Sequence, residues 1–309
     1  MLIINFNKKI IHNISLQGKI ITNFGGNISV KLTSGEKVSA LLRSHLKGEL
    51  TVGDNVELEY TNSTYVIAKL LDRKNLIARP NQYQRKNKNI AANIDSAVII
   101  IAHSPAPVEH YIDRYLAALH NSNIEPIIVI NKIDDQKEKD KKYIQDLANV
   151  YQEIGYKVFY TSAQNNIGID NLLEELKNKT SIFLGQSGVG KSETLNTILG
   201  TKITATTAVS DSTKKGRHTT TCSTLYEIDD TTSIIDSPGI REFGLWHITK
   251  EELFDGFLDF KKYKGMCQFR NCSHEEGSRG CEIVEQVKRG HINPVRFKNY
   301  HRILAEIKN

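Results

Sequence analysis

One motif constrains this chain more than any other. Gly185-Gln186-Ser187-Gly188-Val189-Gly190-Lys191-Ser192 fits G-x-x-x-x-G-K-[ST], a phosphate-binding loop between a buried strand and a helix. The context agrees: Ser181-Ile182-Phe183-Leu184 precedes it as an apolar strand, and Ser192–Leu199 has helical character. A loop of this kind implies an α/β domain with ligands at the carboxyl ends of its strands. Its companions stand in an unusual order. Asn131-Lys132-Ile133-Asp134, which fits a base-reading N-K-x-D, lies more than fifty residues upstream, and Asp236-Ser237-Pro238-Gly239, a D-x-x-G, lies downstream. All the parts are present, so the chain reads as a circular permutation of a phosphate-loop domain.

The residue types say which nucleotide. The Asp134 carboxylate can accept from both guanine N1–H and the exocyclic amine, a donor pair that adenine lacks. Asn131 would meet the other edge of the base or brace the phosphate loop, and the Lys132 stem could cover the ring. Ser162 and Ala163, in Thr161-Ser162-Ala163, fit the loop whose backbone N–H faces guanine O6. The expected GTP-binding set is thus Asn131, Lys132, Ile133, Asp134, Ser162, Ala163, Gly185 through Ser192, Glu193 and Gly239. Lys191 would reach the β and γ oxygens, and Mg²⁺ would be held by Ser192, Thr220 and Asp236. Thr220, in Gly216-Arg217-His218-Thr219-Thr220-Thr221, is preferred to Thr219, and His218 is a candidate to position water. Ile240 stands where many such enzymes carry a water-orienting glutamine, so unaided hydrolysis should be slow.

The flanks differ in texture. Residues 15–72 alternate short β-rich runs with turn signals such as Gly25-Gly26 and Gly53-Asp54, which predicts a small barrel of about five strands, an oligonucleotide-binding (OB) fold. Residues 76–92 read as a basic linker. Residues 93–243 alternate buried strands with helices, Glu109–Asn121 and Lys137–Ile154 among them, and a short helix capped by Asp170. Residues 244–309 are mainly helical around a Cys/His cluster. The expected division is therefore 1–75 OB fold, 76–92 linker, 93–243 permuted GTPase domain and 244–309 zinc domain.

Charge follows this division. Residues 1–92 carry 14 basic against 6 acidic side chains, residues 93–242 carry 15 against 20, and residues 243–309 carry 12 against 9. Basic ends around an acidic centre suit a nucleotide-hydrolysing core carried onto a polyanion. No stretch nears the roughly 18 apolar residues of a membrane span, and the N-terminal residues lack a signal peptide's apolar core. A cytoplasmic monomer without membrane contact is expected.

Of four cysteines, Cys267, Cys272 and Cys281 lie close together with His274 between them. Three thiolates and one imidazole match a closed structural Zn²⁺ site with no position open for catalysis. Cys222 lies apart, in the threonine-rich segment.

Together these residues resemble the bacterial small-ribosomal-subunit-dependent GTPases of the RsgA (YjeQ/YloQ) family. The resemblance covers the barrel, the permuted order, Gly185–Ser192, Gly216–Thr221, Asp236–Gly239, the Cys/His set and the stretch from Asn75-Leu76 into Arg79-Pro80. It implies GTP hydrolysis in late maturation of the 30S subunit, with 16S rRNA bound and the subunit stimulating turnover. An RNA-binding assembly chaperone with GTP as a regulatory ligand is the alternative. The linear order further suggests that the loop at Gly239 re-aims the zinc domain, and that the barrel is attached at the guanine-reading end.

Overall fold

The computed structural model describes residues 16–24, 27–80, 87–135, 138–200, 223–237 and 248–307. His218, Thr219, Thr220, Cys222, Gly239 and Ile240 lie outside these residues. Five strands, β1 (Leu16–Phe24), β2 (Asn27–Leu32), β3 (Lys37–Leu42), β4 (Asn55–Thr61) and β5 (Thr64–Leu70), run in the order β1-β2-β3-β5-β4. Pairing of β4 back onto β1, Leu16 opposite Leu58 and Lys19 opposite Asn55, closes them into an OB-like barrel. Alternation fills it: Ile20, Ile28, Val30, Val56, Leu58 and Ile67 face inward and are fully buried.

Residues 76–92, expected as a linker, contain a hairpin of β6 (Leu76–Pro80) and β7 (Asn87–Ala92). The basic residues masked its apolar members. Ile77, Ile90, Ala91 and Ile94 join one core with Ile21 and Val52 of the barrel. The hairpin therefore buries apolar surface at the seam between barrel and central sheet, where a solvated linker would bury none.

The central strands are β8 (Ser96–Ala102), β9 (Glu125–Asn131), β10 (Lys157–Tyr160), β11 (Thr180–Leu184), β12 (Thr224–Glu227) and β13 (Ser233–Asp236). Their order is β10-β9-β8-β11-β13-β12, parallel except for β12. The permutation is visible here, because β8 and β9 precede the strand that feeds the phosphate loop, yet β8 pairs with that strand and β9 with β8. All seven residues of β8 are buried, and they face two ways. Ile99 and Ile101 pack toward α1 (Glu109–Asn121) and α2 (Glu138–Ile154). Val98, Ile100 and Ala102 pack toward α3 (Ile169–Leu176) and α4 (Lys191–Leu199). A strand covered by helices on both faces has no polar side, hence the continuous apolar run. Asp170 is not the cap of α3. That place falls to Gly168, at φ +71, where a Cβ would stand 2.1 Å from Tyr160 O, and Asp170 sits in the first turn.

The barrel docks at the edge of the sheet far from β9 and β10. β1 pairs with β12, Thr22 opposite Thr224, and Glu227 of β12 pairs with Lys31 of β2 and with Lys37 of β3, at 2.5 Å for Lys37. This corrects the expectation drawn from chain order. β12 would otherwise be an edge strand, and β1 pairs with it at Thr224.

The C-terminal region consists of α5 (Lys250–Gly256), α6 (Leu258–Lys261), α7 (Glu282–Lys288) and α8 (Pro294–Glu306). A capping box of Thr249 and Glu252 starts α5, and Asn293 with Pro294 starts α8. Phe254, Phe257, Phe260, Tyr300 and Ile303 form its core, which also takes in Ala117 of α1. The guanidinium of Arg296, 1% exposed, reaches Asp113 of α1 and Asp259 of α6, with Nη2 2.6 Å from Asp259 Oδ1. Asn299 Nδ2 and Tyr151 OH donate to Asp113 at 2.7 and 2.9 Å. The guanidinium also lies over the Phe257 ring, 4.3 Å from its centroid. Burial opposes the Arg296 charge, but the two carboxylates outweigh it and keep the group protonated. This knot fixes α8 to the helix between β8 and β9, in the guanine-reading half of the sheet. The C-terminal region thus sits where chain order had placed the barrel, and a knot of this kind opposes its re-aiming as a separate body.

Candidate nucleotide site and Cys/His centre

Four strands deliver the nucleotide motifs to one end of the sheet: β9 ends at Asn131, β10 leads into Thr161, β11 into Gly185, and β13 ends at Asp236. Asn131 ties three of them together from a fully buried position. Its Nδ2 donates to Val189 O in the phosphate loop at 3.0 Å, and its Oδ1 accepts from Thr161 Oγ1 at 3.1 Å and Ala163 N at 3.2 Å. Of the two roles open to Asn131 in the sequence, bracing the phosphate loop is the one made here. The brace explains Gly190. At φ +96, a Cβ there would stand 2.2 Å from Asn131 Nδ2.

Lys132 adds a clasp. Its Nζ donates to Gly188 O at 2.6 Å and to Ser104 O at 3.0 Å, binding the phosphate loop to the turn after β8. Sequence reading missed that turn. Its only signal is position, at the carboxyl end of a central strand, where such folds place ligand-facing loops. Ile133 N donates to Thr161 O at 3.2 Å, and Asp134 is exposed beyond it. Ser162 is buried and organises its own turn, exchanging backbone bonds with Ile167 and accepting from Asn165 N. Of the backbone N–H groups in the loop expected at guanine O6, that of Ala163 is directed at Asn131.

Gly190 caps α4, which opens on Lys191, Ser192 and Glu193, all three on the accessible side, so its free N–H groups and dipole favour an anion at that end. Lys191 Nζ donates to Gly185 O at 2.8 Å and to Gln186 O at 2.6 Å, which keeps its charge at the loop. Burial raises the Asp236 carboxyl above its usual range, against the pull of Lys191 and the Ser237 N–H. A second link was not foreseen: Ser223 Oγ and Ser237 Oγ lie 2.8 Å apart and join the approach to β12 with the end of β13. This arrangement can hold a phosphate chain, read a base at its far end and place a divalent cation near Ser192 and Asp236.

These features converge on a known family. A model of the RsgA GTPase family matches residues 70–246. The chain belongs to this family. It is therefore a GTP hydrolase, on a fold shared with solved structures over nearly its whole length. YjeQ from Thermotoga maritima is 28% identical, with 95% of this chain and 98% of that one covered at a TM-score of 0.76. YloQ, described as a circularly permuted GTPase, is 25% identical, with 97% and 98% covered at a TM-score of 0.72.

The Cys/His centre lies at the start of α7. Cys267, Cys272, His274 and Cys281 bring their ligand atoms within 4.8 Å of one another. Cys267 Sγ and Cys281 Sγ are each 3.5 Å from His274 Nδ1 and 4.0 Å from each other. A tetrahedron with Zn–S about 2.3 Å and Zn–N about 2.0 Å has edges of about 3.8 and about 3.5 Å, so the set could hold one zinc ion. Outer contacts orient it: Glu282 N donates to Cys267 Sγ at 3.4 Å, and His301 Nε2 stands 2.9 Å from His274 O. Burial and the neighbouring thiols push Cys281 up to about 12, a cost that a bound dication would remove. Chelation should therefore lower the melting temperature of the protein and release about one zinc per chain, measured by metal analysis of the filtrate. An unchanged melting temperature with no metal released would count against the site.

Proposed function

We propose that this GTPase acts on the small ribosomal subunit during its late maturation, binding 16S rRNA and turning over GTP fastest on that subunit. Asp134 reads the base, Lys191 and the phosphate-loop N–H groups bind the phosphates, and Ser192, Thr220 and Asp236 hold Mg²⁺. When bound, that ion neutralises phosphate charge. One observation carries the partner assignment: a five-stranded OB-like barrel is built into the same sheet as the nucleotide site, through β1 and β12.

Charge supports it more selectively than composition suggested. Arg73 is spent on buried Asp54, Lys74 on Asp95, Arg43 on Glu59, and Lys31 and Lys37 on Glu227. Lys47, Lys69 and Lys88 are exposed and carry no ion pair among the described residues, which makes them the better candidates for phosphate contacts. The test is GTP turnover alone, with purified 30S particles and with 50S particles. A large rise with 30S alone is expected. Equal rates in all three would end the ribosomal assignment.

A further inference from the structure

Thr197, on the second turn of α4, reaches the loop after β10. Its Oγ1 lies 2.9 Å from Ala163 O, and also 3.0 Å from Glu193 O one helical turn back. The two residues are 34 positions apart, and Ala163 is buried. The peptides on either side of Ala163 are thus held by different partners: Asn131 Oδ1 takes its N–H, and Thr197 takes its carbonyl. In a trans peptide the C=O and N–H point opposite ways. Holding Ala163 O toward α4 therefore turns the Gln164 N–H away from α4. Asn131 and Thr197 are anchored in turn to the phosphate loop and to the helix it opens.

We propose that Thr197 is a specificity-determining positioning residue: it sets the plane of the Ala163–Gln164 peptide so that this loop presents the Gln164 N–H to a 6-oxo purine. It acts through the peptide and does not touch the nucleotide. The inference rests on the reading of this loop as the guanine O6 contact. A hydroxyl has one proton, and a threonine within a helix can give it to the carbonyl four residues back. Thr197 determines specificity only if Ala163 O receives it.

The experiment measures the Kd of GDP and of 6-thio-GDP, in which a weak sulfur acceptor replaces O6 alone, for the wild type, Thr197→Val, Thr197→Ser and Asp134→Asn. Apo melting temperatures are read in parallel. The wild type should prefer GDP. Thr197→Val should weaken GDP binding about 5- to 10-fold, the worth of one ordered hydrogen bond, and shrink the preference over 6-thio-GDP. Thr197→Ser should restore both. A merely structural role would weaken both ligands equally and leave the ratio unchanged, and that result overturns the proposal. So does a Thr197→Val affinity within twofold of wild type. Asp134→Asn separates the two readings. If it weakens GDP while Thr197→Val does not, only the Thr197 inference fails, and if it leaves GDP unchanged, the base-reading assignment fails with it.

Discussion

Gly190→Ala should lower kcat/KM for GTP by roughly 100-fold, the scale on which about 1 Å of misplacement acts at a reacting centre. The reason is geometric. The new Cβ would stand 2.2 Å from Asn131 Nδ2, which cannot retreat, because its amide also holds Val189 O, Thr161 and Ala163 N. The phosphate loop must shift instead, and the φ of +96 becomes strained as well. Gly200→Ala separates strain from collision. Gly200 ends the same helix at φ +64 with nothing within 4 Å of a built Cβ. It should lose only about 1–2 kcal/mol of stability, with kcat/KM close to wild type. Equal kinetic losses in both variants would show that collision with Asn131 is not the cause.

Arg296→Ala should destabilise the protein by about 3–5 kcal/mol, read as a fall in the urea midpoint at constant slope. Removing the guanidinium leaves Asp113 and Asp259 buried without a cation, at 0% and 5% exposure. The direction is clear from the charge count: one cation faces two carboxylates, and the Tyr151 and Asn299 donors supply the rest of the compensation for Asp113. Asp113→Asn should cost less, because Asp259 still pairs with Arg296 through Nε and Nη2. A loss below about 1 kcal/mol for Arg296→Ala would mean that water reaches the knot and the C-terminal region is not fastened to α1.

Much of the fold was legible where one local pattern governs many residues. The helix Glu109–Asn121 was read to its ends, since Ile112, Tyr115, Leu116 and Leu119 mark one buried face. The five barrel strands followed from period-two alternation between turns. The hairpin of residues 76–92 was missed, because a run of basic and amide side chains separates the few apolar residues that fold it. Thr197, Ser104 and Ser223 were missed for another reason. Each makes its decisive contact with a residue distant in sequence, and nothing beside a threonine or a serine reveals that.

The chemistry was legible in the linear chain. The phosphate loop, N-K-x-D and D-x-x-G are short motifs whose backbone and side-chain groups act within a few residues, so permuting the chain leaves them readable. The same holds for Cys267, Cys272, His274 and Cys281, whose short spacing lets them surround one point. The attachments depend on packing in three dimensions. Chain order put the barrel beside the guanine-reading half, but the barrel docks on the far edge of the sheet and it is the C-terminal region that is fastened to that half. The barrel caps the free edge of β12, and Arg296 fastens α8 to α1. Edge hydrogen bonds and buried charges find their partners in space, and a linear order of motifs contains neither.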